Sequence, residues 1–342
     1  MVGRGKKGEI TMSLLEEKIV YKPFRYPWCY DAWLTQQRIH WLPEEVPLAD
    51  DVKDWHNKLT PQERHTLTQI FRFFTQADIE VNNCYMKHYT KVFKPTEVQM
   101  MLAAFSNTET IHIAAYSYLL DTIGMPETEY QAFLRYKDMK DKYDYMQQFG
   151  TDTKPDIAKT LAVFGGFTEG LQLFASFAIL LNFPRFNKMK GMGHIISWSV
   201  RDESLHTDSV IKLFRTFVAE NPEIWTQDFQ RELYVACTTV VDHEDAFVNL
   251  AFELGGIEGL TASDVKKDIR YSFSLRLDNS QAIAATAARY VALRGTPETI
   301  NRIYDIYAQL TPEDIQQMAR KYLTENNRTI VTLTGAAAGG AR

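Results

Sequence analysis

From residue 60 onward, apolar residues recur at three- and four-residue intervals in long blocks, the spacing that gives an α-helix one apolar face. The first block opens at Thr60-Pro61-Gln62-Glu63, a capping box with Pro at the first helical position, and runs to about Tyr89. A second is predicted from Pro95 to Thr122, with Gly124 as its stop. Further helices are predicted at about 127–148, 156–182, 191–220 and 227–254, each bounded by Gly, Pro, Asn or Asp. Before residue 60, EKIVYKPFRYPWCYDAW and HWLPEEVPLADD mix aromatics, prolines and charges as a peripheral arm would. After residue 270, YSFSLRLD and TIVTLTG alternate like strands around short helical segments, and AAAGGAR closes the chain as a low-complexity tail. The pattern therefore predicts an N-terminal arm (1–59), a mainly α helical domain (60–270) and a small α/β appendage (271–342).

Composition narrows the function classes. With 45% hydrophobic and 24% charged residues, the 342-residue chain is an ordinary globular protein, long enough for a large core. The longest strongly apolar stretch, Phe174 to Phe183, is about half of what a bilayer span requires, and no signal-peptide apolar region follows the basic start, so no membrane role is expected. A net charge of −5 gives no general attraction to nucleic acid. Cys29, Cys84 and Cys237 are too scattered for a disulfide or zinc framework and suit a reducing cytoplasm. All tryptophans, cysteines and histidines precede residue 244, which places the chemistry upstream of the appendage.

Two Glu-x-x-His pairs, Glu109/His112 and Glu203/His206, stand on predicted helices. Positions three apart share a helix face, so each pair can present a carboxylate and an imidazole to one metal. Ferritin-like dinuclear proteins combine two such helices with single carboxylates from two others. Glu169, inside an apolar helix, is one candidate; Asp78 or Glu80 is the other, their directions differing by about 200°, so that only one faces inward. Four carboxylates balance two divalent ions, and this oxygen-rich, thiolate-free set suits iron or manganese. Tyr116, four residues after His112, puts a phenol on the same face, while Leu173, Phe177 and Ile196 fall on inward faces and can enclose it. Asp202 is placed to orient a metal-bound imidazole. Taken alone, these residues also suit another ferritin-like oxidase or a metal-storage protein.

NTETIHIAAY, FTEGLQLFASF, SVRDESLH and ADIEVNN together resemble the radical-generating small subunit of class I ribonucleotide reductase, over roughly residues 13–270. The resemblance implies a ferritin-like bundle, cytoplasmic and homodimeric, working with a large catalytic subunit. It favours Asp78 over Glu80 and implies that Asp78, Glu109 and His112 hold one metal, and Glu169, Glu203 and His206 the other. The cofactor so implied is dinuclear iron, with manganese or a mixed centre as variants. It further implies a stable radical on Tyr116, and an electron path through Trp41, Asp202 and His112. One departure stands out: the family's tail, with its redox-active Tyr and docking peptide, has no counterpart here, which leaves open a chain that cannot pass its radical on. Residues 271–335 instead resemble the end of an insulinase-like peptidase domain without its zinc motif.

Overall fold

The computed structural model describes residues 13–267, and the secondary structure described there is helical apart from an isolated bridge between Ile257 and Leu260. The segment read as an α/β, insulinase-like appendage lies outside the described residues.

The predicted helices form where the caps stand. Helix α3 (Pro61–Asn83) starts at the expected capping box: Glu63 N–H donates to Thr60 Oγ1 at 3.2 Å and Thr60 N–H to Glu63 Oε2 at 2.9 Å. It continues through a π-helical stretch, Cys84–Tyr89. Helix α4 (Thr96–Ile123) ends on Gly124 at φ 76°, a left-handed position that suits glycine. After α5 (Lys137–Met146) comes one long run: α6 (Lys154–Leu161), a π-helical stretch Ala162–Gln172, and α7 (Leu173–Arg185). Helices α8 (Lys190–Glu220) and α9 (Gln227–Ala251) complete the bundle.

Three sequence expectations change. The region before residue 60 holds two helices, α1 (Pro27–Arg38) and α2 (Ala49–Asn57), and α1 packs on α4. Helix α1 is short, and buries only Cys29, Ala32 and Gln36, so tertiary packing rather than its own periodicity holds it. Its approach is fixed by buried Glu97, whose Oε1 accepts the N–H groups of Arg25 and Tyr26 at 2.6 and 2.9 Å. Second, the helix predicted at 127–148 begins only at Lys137; 3-10 turns at Glu127–Glu129 and Ala132–Arg135 precede it, where Arg72 reaches across to Glu129 and to the Tyr136 hydroxyl. Third, Lys154–Arg185 runs unbroken and is long and apolar enough to cross a bilayer, but 78% of its apolar window is buried inside the protein, as befits a core helix.

Helix α4 packs on α3, and α8 packs on both α7 and the π-helical stretch of the long run. Gly165 permits that last approach: a Cβ there would come within 2.3 Å of Val210 Cγ1. One apolar cluster contains Phe74, Tyr116, Leu173, Phe177 and Ile196; a second contains Tyr85, Phe105, Phe164 and Val210.

Candidate metal centre

Four helical elements deliver the acids. Glu109 and His112 come from α4, Glu203 and His206 from α8, Glu169 from the π-helical stretch, and Asp78 from α3; all are at most 2% exposed. Ligand atoms of Glu109, Glu169, Glu203 and His206 lie within 4.8 Å of one another. His112 joins them through Nδ1, which is 3.1 Å from Glu203 Oε1 and 3.5 Å from Glu109 Oε2. Nδ1 of His206 lies 3.0 Å from Glu109 Oε1 and 3.6 Å from Glu203 Oε2. Asp78 is buried with Oδ2 lacking a hydrogen-bond partner, whereas partly exposed Glu80 accepts a hydrogen bond from Gln147.

The other imidazole nitrogens face outward. His112 Nε2 meets Asp202 Oδ2 at 3.3 Å, and Trp41 Nε1–H donates to the same oxygen at 2.7 Å. His206 Nε2 meets Gln36 Oε1 at 3.2 Å, and Gln36 Nε2 is 3.4 Å from Asp202 Oδ1. If both Nε2 atoms carry the hydrogen, each Nδ1 turns a bare lone pair toward carboxylate oxygens, an arrangement that only a cation or added protons can stabilise. Both oxygens of Glu109 and of Glu203 and one of Glu169 are buried without a hydrogen-bond partner. Such a set of orphaned hard donors fits divalent iron or manganese.

The proton affinities that burial and charge impose on these groups point the same way. Burial and the charges of Glu109 and Glu203 push Asp78 well above the carboxylate range, while burial and Glu203 do the same to Glu169. Burial opposes ionisation of Glu109 and both histidines, but their mutual attraction wins: Glu109 is held at about 2, His206 is raised to about 10 and His112 is raised well above its ordinary value. Protons thus neutralise the metal-free site. Metal must displace them, so loading is expected to release protons and to strengthen as pH rises, which indicator-dye titration measures. For the metal-free fold the sign is opposite. The contribution of His206 is complete below its unfolded value near 6.5 and is lost as pH rises toward about 10, so the metal-free protein should melt at lower temperature at pH 9 than at pH 6.

Tyr116 is 4% exposed, packs on Phe74 at 4.9 Å between ring centroids, and donates from Oη to Ser199 Oγ at 3.0 Å. Ser199 spends its own hydrogen on Ile195 O, 3.1 Å away. Burial, then Asp78, raises the phenol well above its usual range, so it stays protonated. The structure thus brings together the six candidate ligands with Tyr116, Trp41 and Asp202, and leaves the alternative acid Glu80 outside, with Gln147. Three others escaped notice. Ser199 precedes Glu203 by one helical turn and Tyr85 follows Asp78 by two, spacings that could have signalled them; nothing in the sequence marks Gln36.

Bundle and buried acid–imidazole centre together define a ferritin-like protein. The family model described as ribonucleotide reductase, small chain, matches residues 18–281. The chain belongs to that family. It is 46% identical to the probable ribonucleoside-diphosphate reductase small subunit 376L of Invertebrate iridescent virus 6 over 260 residues, which cover 71% of this chain and 72% of that one. Two solved structures share the fold. The Clostridium botulinum ribonucleotide reductase R2 subunit aligns at TM-score 0.70 and 22% identity over 78% of this chain and 87% of its own. The dimanganese(II)-NrdF of Streptococcus sanguinis aligns at 0.63 and 18%, over 75% and 89%. As a small chain of ribonucleoside-diphosphate reductase, the protein is an oxidoreductase subunit that acts with a large subunit. The family match extends to residue 281, and the insulinase-like resemblance of residues 271–335 is not borne out.

Proposed function

We propose that Asp78, Glu109 and His112 would hold one metal and Glu169, Glu203 and His206 another, and that Tyr116 is the residue that carries the radical used by the large subunit. The observation that carries it is the buried set of partnerless carboxylate oxygens around two inward-facing Nδ1 atoms. A dinuclear iron centre, or a manganese or mixed one, supplies the oxidation when bound with dioxygen; dimanganese in the Streptococcus sanguinis neighbour supports the variant. The chain's own work is to hold the phenol protonated in a dry sleeve of Phe74, Phe177 and Ile196, and to carry charge outward.

Trp41, Asp202 and His112 serve the second task. Their two hydrogen bonds link the proposed ligand to Trp41, which packs at 5.1 Å against half-buried Trp198. Trp41→Phe removes the N–H while keeping an apolar ring. It is expected to leave metal content and the Tyr116 radical in place but to reduce turnover with the cognate large subunit by about 100-fold or more, equivalent to nearly 3 kcal/mol of barrier. Full turnover by this variant would remove Trp41 from the path.

Aerobic iron(II) loading followed by metal analysis and EPR tests the whole assignment. Loss of metal from Glu109→Ala and Glu203→Ala supports it; undiminished metal binding by those variants overturns it. We further infer a homodimer in the cytoplasm. The outward face of α4 offers Ala103, Asn107, Thr110, Ala114, Ser117 and Tyr118, uncharged until Asp121 near its C-terminal end, which suits contact with a second copy. The three free, buried cysteines suit a reducing compartment.

A further inference from the structure

A second buried phenol touches the cluster, and the function proposed above does not use it. Tyr85 is 1% exposed and its Oη donates to Glu169 Oε1 at 2.7 Å. It stands on the π-helical stretch Cys84–Tyr89, and Glu169 on the π-helical stretch Ala162–Gln172, so the bond joins the two irregular turns of the bundle. Such turns re-aim side chains that a regular helix would place elsewhere. The ring packs edge-on against Tyr89, Phe105 and His206, at centroid distances of 5.7, 6.1 and 6.1 Å.

A carboxylate with both oxygens free can chelate one metal or bridge two. Glu169 does not have both free: Oε1 is taken by the phenol, while Oε2 is buried without a hydrogen-bond partner. The other buried phenol behaves differently, since Tyr116 gives its hydrogen to a serine and leaves the acids untouched. We propose that Tyr85 is a positioning residue that reserves Oε1 of Glu169 and so makes this acid a ligand through one oxygen, keeping an adjacent coordination position open. The proposal rests on the assignment of Glu169 as a metal ligand.

The test is anaerobic loading of the full chain with cobalt(II), whose visible absorption weakens as its coordination number rises. Wild type is compared with Tyr85→Phe, which removes one oxygen atom, and with Tyr89→Phe, which removes a neighbouring hydroxyl bonded to Thr160 O instead. Tyr85→Phe is expected to bind as much cobalt, to absorb more weakly, and to release the metal to a chelator about tenfold more slowly, the scale of one charge-assisted hydrogen bond. Tyr89→Phe should match wild type. Tyr85→Leu is the second variant and should shift the spectrum in the same direction if the Phe variant does not accumulate. An unchanged spectrum and release rate in the Tyr85 variants, with cobalt binding weakened in Glu169→Ala, overturns the positioning role while the ligand assignment stands; cobalt binding and spectrum unchanged in Glu169→Ala overturn both.

Discussion

Tyr116→Phe is expected to abolish the radical EPR signal and turnover with the large subunit while leaving metal binding intact. The substituted ring keeps its contacts with Phe74 and with the cluster containing Phe177. Only the bond from Oη to Ser199 is lost, and Ser199 retains its bond to Ile195 O, so no buried donor is stranded. The cost to stability should therefore be small, about 1 kcal/mol. A radical signal that survives in this variant would move the oxidised phenol elsewhere, and Tyr85, bonded to Glu169, would be the first to examine. The two phenols are separable because only one hydroxyl touches an acid.

Glu244→Ala should be the most damaging substitution away from the centre, lowering stability by about 3–5 kcal/mol. Glu244 is fully buried and pairs with equally buried Lys142, Nζ to Oε2 at 2.5 Å. The same Nζ lies 3.8 Å from the ring centre of Phe73 and 4.3 Å from that of Phe247. Truncating the acid leaves the ammonium in apolar surroundings with only these ring faces for company. Burial lowers Lys142 and raises Glu244 relative to their ordinary values, and Glu244 Oε1 has no hydrogen-bond partner, so the pair itself is an expensive arrangement. The double variant Lys142→Met with Glu244→Leu should consequently lie near wild type in urea denaturation, far above the single variant. A single variant within 1 kcal/mol of wild type would show that water or relaxation rescues the lone charge.

Which features were visible in the chain follows from how local their causes are. The capping box at Thr60 and the stop at Gly124 act within one turn, and both ends fall where the sequence places them. The Glu-x-x-His pairs are likewise local, because three residues on a helix fix a common face wherever that helix goes. Helix α1 left little trace, since its stability comes from α4 and from the backbone bonds to Glu97, 71 and 72 residues away. For the same reason the sequence pattern predicts helix where the turns at 127–135 form: the tie from Arg72 to Glu129 and Tyr136 spans 57 and 64 residues. The helix through residues 154–185 is legible, predicted at 156–182, but its apolar length is not, because Gly165, Gly166, Thr168 and Glu169 interrupt its apolar character where the π-helical stretch carries the acid.

By itself, the sequence determined that the protein is helical, which residues can pair on a face, and that four acids and two imidazoles of iron- or manganese-binding type stand in a family-like order. Helix periodicity left Asp78 and Glu80 open and the family resemblance favoured Asp78; tertiary structure decided that Glu80 meets Gln147 and that both Nδ1 atoms face acids. It also decided that Gln36, Ser199 and Tyr85 complete the surroundings of those groups. The division is physical: periodicity fixes direction around one helix axis, but only packing brings separate helices close enough for a hydrogen bond, and the roles of an imidazole, a phenol and a carboxylate depend on that last approach.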